Sequence, residues 1–302
     1  MLEQAFSVSL RDLDRQHLLR EVAGVDTLWI RLRNRIDREV FVRAPRLRLI
    51  VTPTTGLNHI DLEEAGRRSI RIVSLRGETA FLRDVRATAE HTVALMLALL
   101  RKLPAAALHV KHGGWDRTLF QGRELFGKTV GIVGLGRLGR IVARYLEAFG
   151  ATVMAADPNL SLESTGGVPL VPLGELLERS DIVSIHVNLD ETTASLFDAS
   201  CFARLKPGAI LINTARGELL DERQLLACLR SGKLAGAAVD VLCDEDATGM
   251  SGTPLVEYAA AHDNLIITPH IGGYTEESLS KVELFLARRL IELVREGGAP
   301  DR

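Results

Sequence analysis

Only three cysteines occur in 302 residues, Cys201, Cys228 and Cys243, and they form neither a CxxC pair nor any other metal-ligand spacing. That scarcity excludes a disulfide scaffold and leaves no metal site to expect. A reduced, cytoplasmic protein is the simplest reading. Charge of one sign is lacking too, since 37 Lys and Arg face 39 Asp and Glu for a net charge of −2. A nucleic-acid partner held by phosphate electrostatics is therefore not expected, although a local cationic pocket for a small anion stays open. Nor is there a long hydrophobic run. The longest, residues 93–100, falls far short of the roughly 20 residues that a bilayer span needs. The opening MLEQAFSVSLRDLDR carries acidic and polar residues too early for a secretory signal, so no membrane partner is expected.

What is present is ordinary globular composition, 46% hydrophobic and 25% charged, in a chain long enough for two domains with well-buried cores. Short β-rich runs alternate with longer helical patterns, the mark of α/β architecture with a mainly parallel sheet. The early strands are expected at 27–30, 47–52 and 70–74, with a helix near 61–68. Residues 89–103, AEHTVALMLALLRKL, read as a helix apolar nearly all round. Such a helix must be buried between domains or against another subunit, and Pro104 ends or kinks it. After a looser stretch the alternation restarts, with strands expected at 129–134, 152–156, 181–187, 209–213, 235–241 and 265–268. An amphipathic helix over Glu276–Glu296 comes last, stopped by Gly297-Gly298.

The most informative segment is KTVGIVGLGRLGRIVARYLEAFG. A β-branched run leads directly into Gly134-Leu135-Gly136-Arg137-Leu138-Gly139 and then into a helix, which is the context a GxGxxG needs before it means a dinucleotide site. Gly134 allows the tight turn, Gly136 lets backbone approach a pyrophosphate, and Gly139 lets helix and strand pack closely. The free N–H groups of the helix N-terminus face the phosphate charge. A second strand ends in Asp157, placed to take the ribose hydroxyls. With that acid and no arginine directly after it, NAD is favoured over NADP.

Three polar residues come after three later strands: Arg216 after AILINTA, Glu245 past AGAAVDV, and His270 at the end of LIITPH. Ligands of open parallel sheets bind beyond the carboxyl ends of the strands, so the three can converge on one crevice. A guanidinium can hold a carboxylate in a forked pair and polarise a neighbouring carbonyl. A histidine can deliver or remove the carbonyl proton, and a partner carboxylate favours its charged form and fixes its tautomer. Taken singly, Arg216 reads equally as a strand-end surface residue, Glu245 as one acid of a DED loop, and His270 as a core histidine.

The segments GRELFGKTVGIVGLGRLGR, SDIVSIHVNLDETTASLF, LKPGAILINTARGELLDERQLLACLRSGKLAGAAVDV and NLIITPHIGG resemble the D-isomer-specific 2-hydroxyacid dehydrogenases, a group that includes 3-phosphoglycerate dehydrogenases and glyoxylate/hydroxypyruvate reductases. The likeness runs over residues 88–282, and IVTPTTGLNHIDLEEA extends it weakly into the first domain. It implies an α/β fold, with a Rossmann-type doubly wound NAD domain at 89–282 and a smaller flavodoxin-like substrate domain at 1–88 and 283–302. It also implies catalytic roles for Arg216, His270 and Glu245, the last lying five positions after Asp240. Cofactor contacts are implied at Gly134, Gly136, Arg137, Leu138, Gly139, Asp157, Thr193, Ala215, Asp240, Gly272 and Gly273. Backbone N–H groups of Thr55 and Gly56 are implied to hold the substrate carboxylate. In the family it resembles, a homodimer forms across the nucleotide domains, where helix 89–103 lies.

The sequence departs from the family pattern at Asn188 and Asp246, both in place of proline, at Cys243, and at Asn58 in place of a frequent Asp. The stretch GETAFLRDVRATAEHT is longer than in glyoxylate-reducing relatives. The reaction implied is reversible hydride transfer between NADH and a small 2-oxo acid. A phosphite-oxidising relative keeps the same three residues, and a nucleotide-sensing corepressor scaffold keeps the fold, so both alternatives stay open. Arg31 and Arg33 occupy the place of an RSR segment of the phosphoglycerate type, and Arg76 sits in the next loop. Together they suit a second anionic group on the substrate. Arg35, Arg38, Arg43, Arg46 and Arg48 crowd the same region, which equally describes a solvated surface.

Overall fold

The structure, a computed structural model, describes residues 2–160, 165–243, 245, 250 and 252–296. Gly297, Gly298 and Asp246 lie outside the described residues. The chain divides into two compact units, Met1–Val85 with Glu276–Arg302, and Arg86–Thr275. The second division falls at the start of the helix Glu276–Glu296, not at residue 283 inside it. A continuous helix is a stiff element that stays with one core.

In the first unit, strands β1 (Thr27–Trp29), β2 (Leu49–Val51) and β3 (Arg71–Val73) pair parallel in chain order. Three helices each begin where an aspartate can accept an N–H from the first turn: Asp14 from His17, Asp37 from Glu39 and Val40, and Asp61 from Glu64. The helices Arg15–Glu21, Arg38–Arg43 and Leu62–Arg67 contribute Leu18, Val40, Phe41 and Ala65 to a core that includes Ile50 of β2. The alternate residues Leu49, Val51 and Val73 meet Val282, Leu286 and Leu290 of the helix Glu276–Glu296. One sheet face is thus closed by a segment more than two hundred positions later in the chain.

The stretch after β3 has a structural use. It forms the short helix Thr79–Leu82, whose Phe81 stacks on Phe285 with ring centroids 4.0 Å apart, while Leu82 is buried in the same cluster. Arg289 reaches Glu78 at 3.8 Å, and Lys281 Nζ donates to Asp84 O at 3.3 Å. These residues anchor the helix Glu276–Glu296.

The second unit contains one six-stranded sheet: β4 (Thr129–Val133), β5 (Thr152–Ala156), β6 (Ile182–Ile185), β7 (Ala209–Asn213), β8 (Leu234–Val239) and β9 (Leu265–Ile267). All pairs are parallel, in the order β5-β4-β6-β7-β8-β9. An isolated bridge from Leu170 to Ala155 extends the β5 edge. Alternate strand residues feed two separate cores, as expected of a sheet covered on both faces. Val130, Ile132, Ile210 and Ile212 join Met96, Leu99, Val142 and Leu146 on one face. Val133, Val183, Leu211 and Val239 join Leu176, Phe202, Leu225 and Leu255 on the other.

The apolar helix expected at 89–103 runs over Ala87–Leu100 and packs its buried residues, among them Met96 and Leu99, against this sheet. Leu99 lies so close to β8 that a Cβ on Gly236 would sit 3.2 Å from it. Pro104 does not end this helix. The break comes earlier, at Lys102 with φ +52°, and Pro104 stands in the first turn of a second helix, Leu103–Lys111, where its missing N–H costs nothing. Leu103, Leu108 and Val110 of that helix are exposed, as are Trp115, Leu119 and Phe126 beyond it.

No single helix among the described residues is long and apolar enough to cross a membrane, and none of their His, Cys, Asp and Glu form a group able to hold a metal ion. The anchoring role of Phe81 is open to a direct test. Phe81→Ala is expected to cost the first unit about 2–3 kcal/mol. Urea unfolding followed at Trp29, with Trp115 replaced by Phe, should show an earlier transition; an unmoved midpoint contradicts the role.

Candidate active site

The strand order reverses at β4, which has β5 on one side and β6 on the other. Such a reversal opens a crevice beyond the carboxyl ends of the strands. β4 runs into the glycine motif there, and the helix Arg137–Ala148 begins inside it. Gly134 has φ +91°, and a Cβ on it would lie 2.8 Å from Val187 N, so both the turn and the packing against the β6 end require glycine. A Cβ on Gly139 would meet Gly134 O at 2.2 Å, which is how closely the helix approaches the strand. At Gly136, the helix N-cap, a Cβ would meet nothing within 4 Å. That is open room at the positive end of a helix, which is what a pyrophosphate needs. The residues present fit a dinucleotide.

The other residues expected at the cofactor lie around this turn. Arg137 and Leu138 sit half-buried in the first helical turn, and burial pushes the Arg137 guanidinium below its ordinary range. Asp157, just past β5, accepts Leu135 N at 3.0 Å and Asn159 N at 3.0 Å, tying the acid to the glycine loop. Thr193 closes the loop after β6: its hydroxyl donates to Asn188 O at 2.7 Å and accepts Asp190 N at 2.8 Å. Side-chain hydrogen bonds thus hold the loop in which Asn188 replaces a proline. His186, at the end of β6, is pushed down to about 4 by burial, so it is uncharged at neutral pH; its Nε2 lies 2.9 Å from Ser184 Oγ.

Arg216, Glu245 and His270 come after β7, β8 and β9, which are neighbours in the sheet. His270 Nδ1 lies 2.5 Å from Glu245 Oε1, with the two side chains 24% and 28% exposed. Burial pushes the Arg216 guanidinium down, while the Glu245 and Glu218 carboxylates push it up, with a net lowering. Arg216 Nη1 also donates to Ala215 O at 2.6 Å. The structure brings an arginine, a carboxylate and a histidine together at one end of the sheet.

Two supporting residues, Asn213 and Glu222, escape a reading of the sequence. Asn213, fully buried at the end of β7, donates to Arg216 O at 2.7 Å and accepts Ala215 N at 3.0 Å, which pins the arginine's backbone. Glu222 accepts Cys243 N at 2.7 Å and fixes the chain just before Glu245. A Cβ on Gly217 would lie 2.0 Å from Leu242 C, so the loops after β7 and β8 touch there. Asp240 is 1% exposed; its Oδ1 accepts Ile271 N at 2.9 Å and its Oδ2 accepts Gly272 N at 2.7 Å. Gly273 comes next, and a Cβ on it would lie 3.8 Å from Thr88 Oγ1. The signal for Asn213 is a polar residue ending an apolar strand.

The remaining expected residues lie in the first unit. Thr55 and Gly56 come after β2 in a loop braced by Thr52, whose Oγ1 lies 3.0 Å from Thr54 Oγ1 and 3.2 Å from His59 Nε2. Thr54 Oγ1 donates to Gly56 O at 2.8 Å. Among the described residues, the N–H groups of Thr55 and Gly56 donate to no protein acceptor. Arg31 pairs with Glu283 and Arg33 with Asp12. Arg76 is exposed after β3, and its backbone N donates to Ser74 Oγ at 3.2 Å.

Similarity to known proteins identifies the family. The family model for the D-isomer-specific 2-hydroxyacid dehydrogenase NAD-binding domain matches residues 93–272. D-3-phosphoglycerate dehydrogenase of Mycobacterium tuberculosis is 38% identical over 267 residues, covering 88% of this chain and 48% of that protein. The chain thus spans about half the length of that relative. Glyoxylate reductase of Pyrococcus furiosus is 36% identical over 308 residues, covering 98% of this chain and 88% of that one. The crystal structure of Aquifex aeolicus D-lactate dehydrogenase with NAD and lactic acid superposes with a TM-score of 0.81 at 29% identity, covering 92% of this chain and 85% of that one. With NAD as the cofactor of its larger unit, the chain belongs to the D-isomer-specific 2-hydroxyacid dehydrogenase family.

Proposed function

We propose that the protein is an NAD-dependent 2-hydroxyacid dehydrogenase that interconverts a 2-oxo acid and its 2-hydroxy acid. The observation that carries this reading is the 2.5 Å contact between His270 Nδ1 and Glu245 Oε1, beside the Arg216 guanidinium. The chemistry the dinucleotide supplies when bound is hydride exchange with the substrate C2. His270, its Nδ1–H directed to Glu245, exchanges the other proton with the substrate oxygen through Nε2. Arg216 holds the substrate carboxylate and polarises the carbonyl oxygen as negative charge builds on it. Thr55 and Gly56, in the first unit, are the proposed source of backbone N–H groups for a substrate carboxylate. The dinucleotide is held by the glycine turn, by Asp157 at the ribose and by the loops that carry Thr193, Ala215 and Gly272.

The notion of a second anionic group on the substrate now rests on fewer residues. Arg31 and Arg33 already have carboxylate partners in their own unit, so Arg76 is the cation that supports it. We also propose a homodimer, supported by the exposed apolar residues of 103–126 instead of by the buried helix before them.

Loss of NADH absorbance with glyoxylate, hydroxypyruvate, phosphohydroxypyruvate and phosphonopyruvate tests the activity. No turnover with any of them, despite tight NADH binding, would favour a sensing scaffold. His270→Gln is expected to lower kcat by about 10²–10⁴-fold and leave NADH affinity nearly unchanged; equal loss of both overturns the acid/base role. Gly136→Ala should keep the melting temperature yet weaken NADH binding by tenfold or more, because its methyl group would enter the pyrophosphate space. Gly139→Ala should instead destabilise the fold. Similar behaviour of the two variants contradicts the cradle. For the dimer, Trp115→Glu should give the monomer mass by light scattering where the parent chain gives twice that mass.

A further inference from the structure

A histidine in the buried helix Ala87–Leu100 needs an explanation, because a polar ring there loses its water. His91 is that residue, with neighbours Ala89, Val93 and Leu95 buried in apolar surroundings. Its ring reaches past the ends of β8 and β9. Nε2 lies 3.1 Å from Thr268 Oγ1 and 3.2 Å from Asp240 Oδ1. The Thr268 hydroxyl has a single hydrogen, and it donates that hydrogen to Asp240 Oδ1 at 2.5 Å. The threonine oxygen can then only accept from the ring, so Nε2 of His91 carries a hydrogen shared between Thr268 and Asp240.

What Asp240 does with its other contacts gives the pair its meaning. Three successive N–H groups converge on this one residue. His270 N donates to its backbone O at 2.8 Å, Ile271 N to Oδ1 at 2.9 Å, and Gly272 N to Oδ2 at 2.7 Å. The turn they hold is strained, since His270 has φ +53° without being glycine. Strain of this kind persists only where the surroundings over-determine it. Burial alone would raise the Asp240 carboxyl, but the donors outweigh it and hold it below the usual carboxylate range. A carboxylate so engaged is a fixed post, and its own orientation depends on His91 and Thr268.

We propose that His91 is a positioning residue for His270: its Nε2–H, shared by Thr268 and Asp240, locks the carboxylate that holds residues 270–272 in the left-handed turn from which His270 meets Glu245. The proposal rests on the reading of His270 as the acid/base, and its test is built to separate the two. His91→Leu removes the donor, His91→Gln returns an N–H near the Nε2 position, and Thr268→Val removes the other tie independently.

Two readouts are needed. In turnover, His91→Leu should lower kcat by about ten- to a hundred-fold, the size of effect expected when a reacting group shifts by about 1 Å. NADH affinity measured by fluorescence should stay within twofold, and Gln should recover most of kcat. The second readout needs no substrate. The short Nδ1–H···Oε1 bond of the 270–245 pair should give a low-field proton resonance, assigned by its disappearance in His270→Gln. His91→Leu and Thr268→Val should shift or broaden it, and His91→Gln should restore it. An unmoved resonance in both disrupting variants overturns the proposal, as does a Gln variant no better than Leu with NADH affinity lost alongside. If the parent protein reduces no 2-oxo acid, the functional reading fails, and the resonance still decides whether His91 positions the pair.

Discussion

The arrangement at the end of the larger sheet depends on one carboxylate. Asp240 follows β8 almost without exposure, and its carboxylate is bound by groups from the stretch after β9 and from the helix packed beside it. Parallel strands deliver their next residues to the same edge, but they do not fix the conformation of the loops that leave it. Here a buried acid accepts donors from the neighbouring loop until that loop has one geometry. The corresponding device at β7 is Asn213, which clamps both ends of the Ala215–Arg216 link. Each of the two is a polar side chain at or just past a strand end that accepts backbone N–H groups of a loop, and their strands are neighbours. They spare the reacting side chains from holding themselves in place.

Legibility in the sequence tracks the periodicity of the physics involved. The strands are readable because buried parallel strands are short β-branched runs, and Thr152–Ala156 and Ala209–Asn213 occur where those runs lie. The glycine turn is readable because each glycine answers a different steric demand, and all three demands are present in the fold. Adjacency of β7, β8 and β9 supplies the meeting of Arg216, Glu245 and His270, which strand-end position alone only suggests. What cannot be read is direction. Ala87–Leu100 is apolar all round, so periodicity does not say which neighbour covers it; its own sheet does. Pairing of Arg31 with Glu283 is hidden for a simpler reason, since ion partners so far apart in sequence leave no local pattern.

The first domain's cationic character also changes in the structure. An excess of arginine looks like a pocket for an anion, yet much of it is spent on nearby acids: Arg15 on Asp37 and Glu39, Arg46 on Asp26, Arg67 and Arg68 on Glu64. The exposed pairs among them, such as Arg46 with Asp26, contribute little stability each. Their effect is on the field, because a paired guanidinium attracts a passing anion far less than an unpaired one.

The closing of the first sheet by the helix Glu276–Glu296 fixes an order of events during synthesis. Leu49, Val51 and Val73 emerge from the ribosome early, and the residues that cover them emerge only after the whole of the larger unit has been made. The larger unit is continuous and holds its own two cores, so it can form while the smaller one waits with an apolar face uncovered. The smaller unit comes first in the chain but is completed last, and the interval between is when it is most open to chaperones and to aggregation.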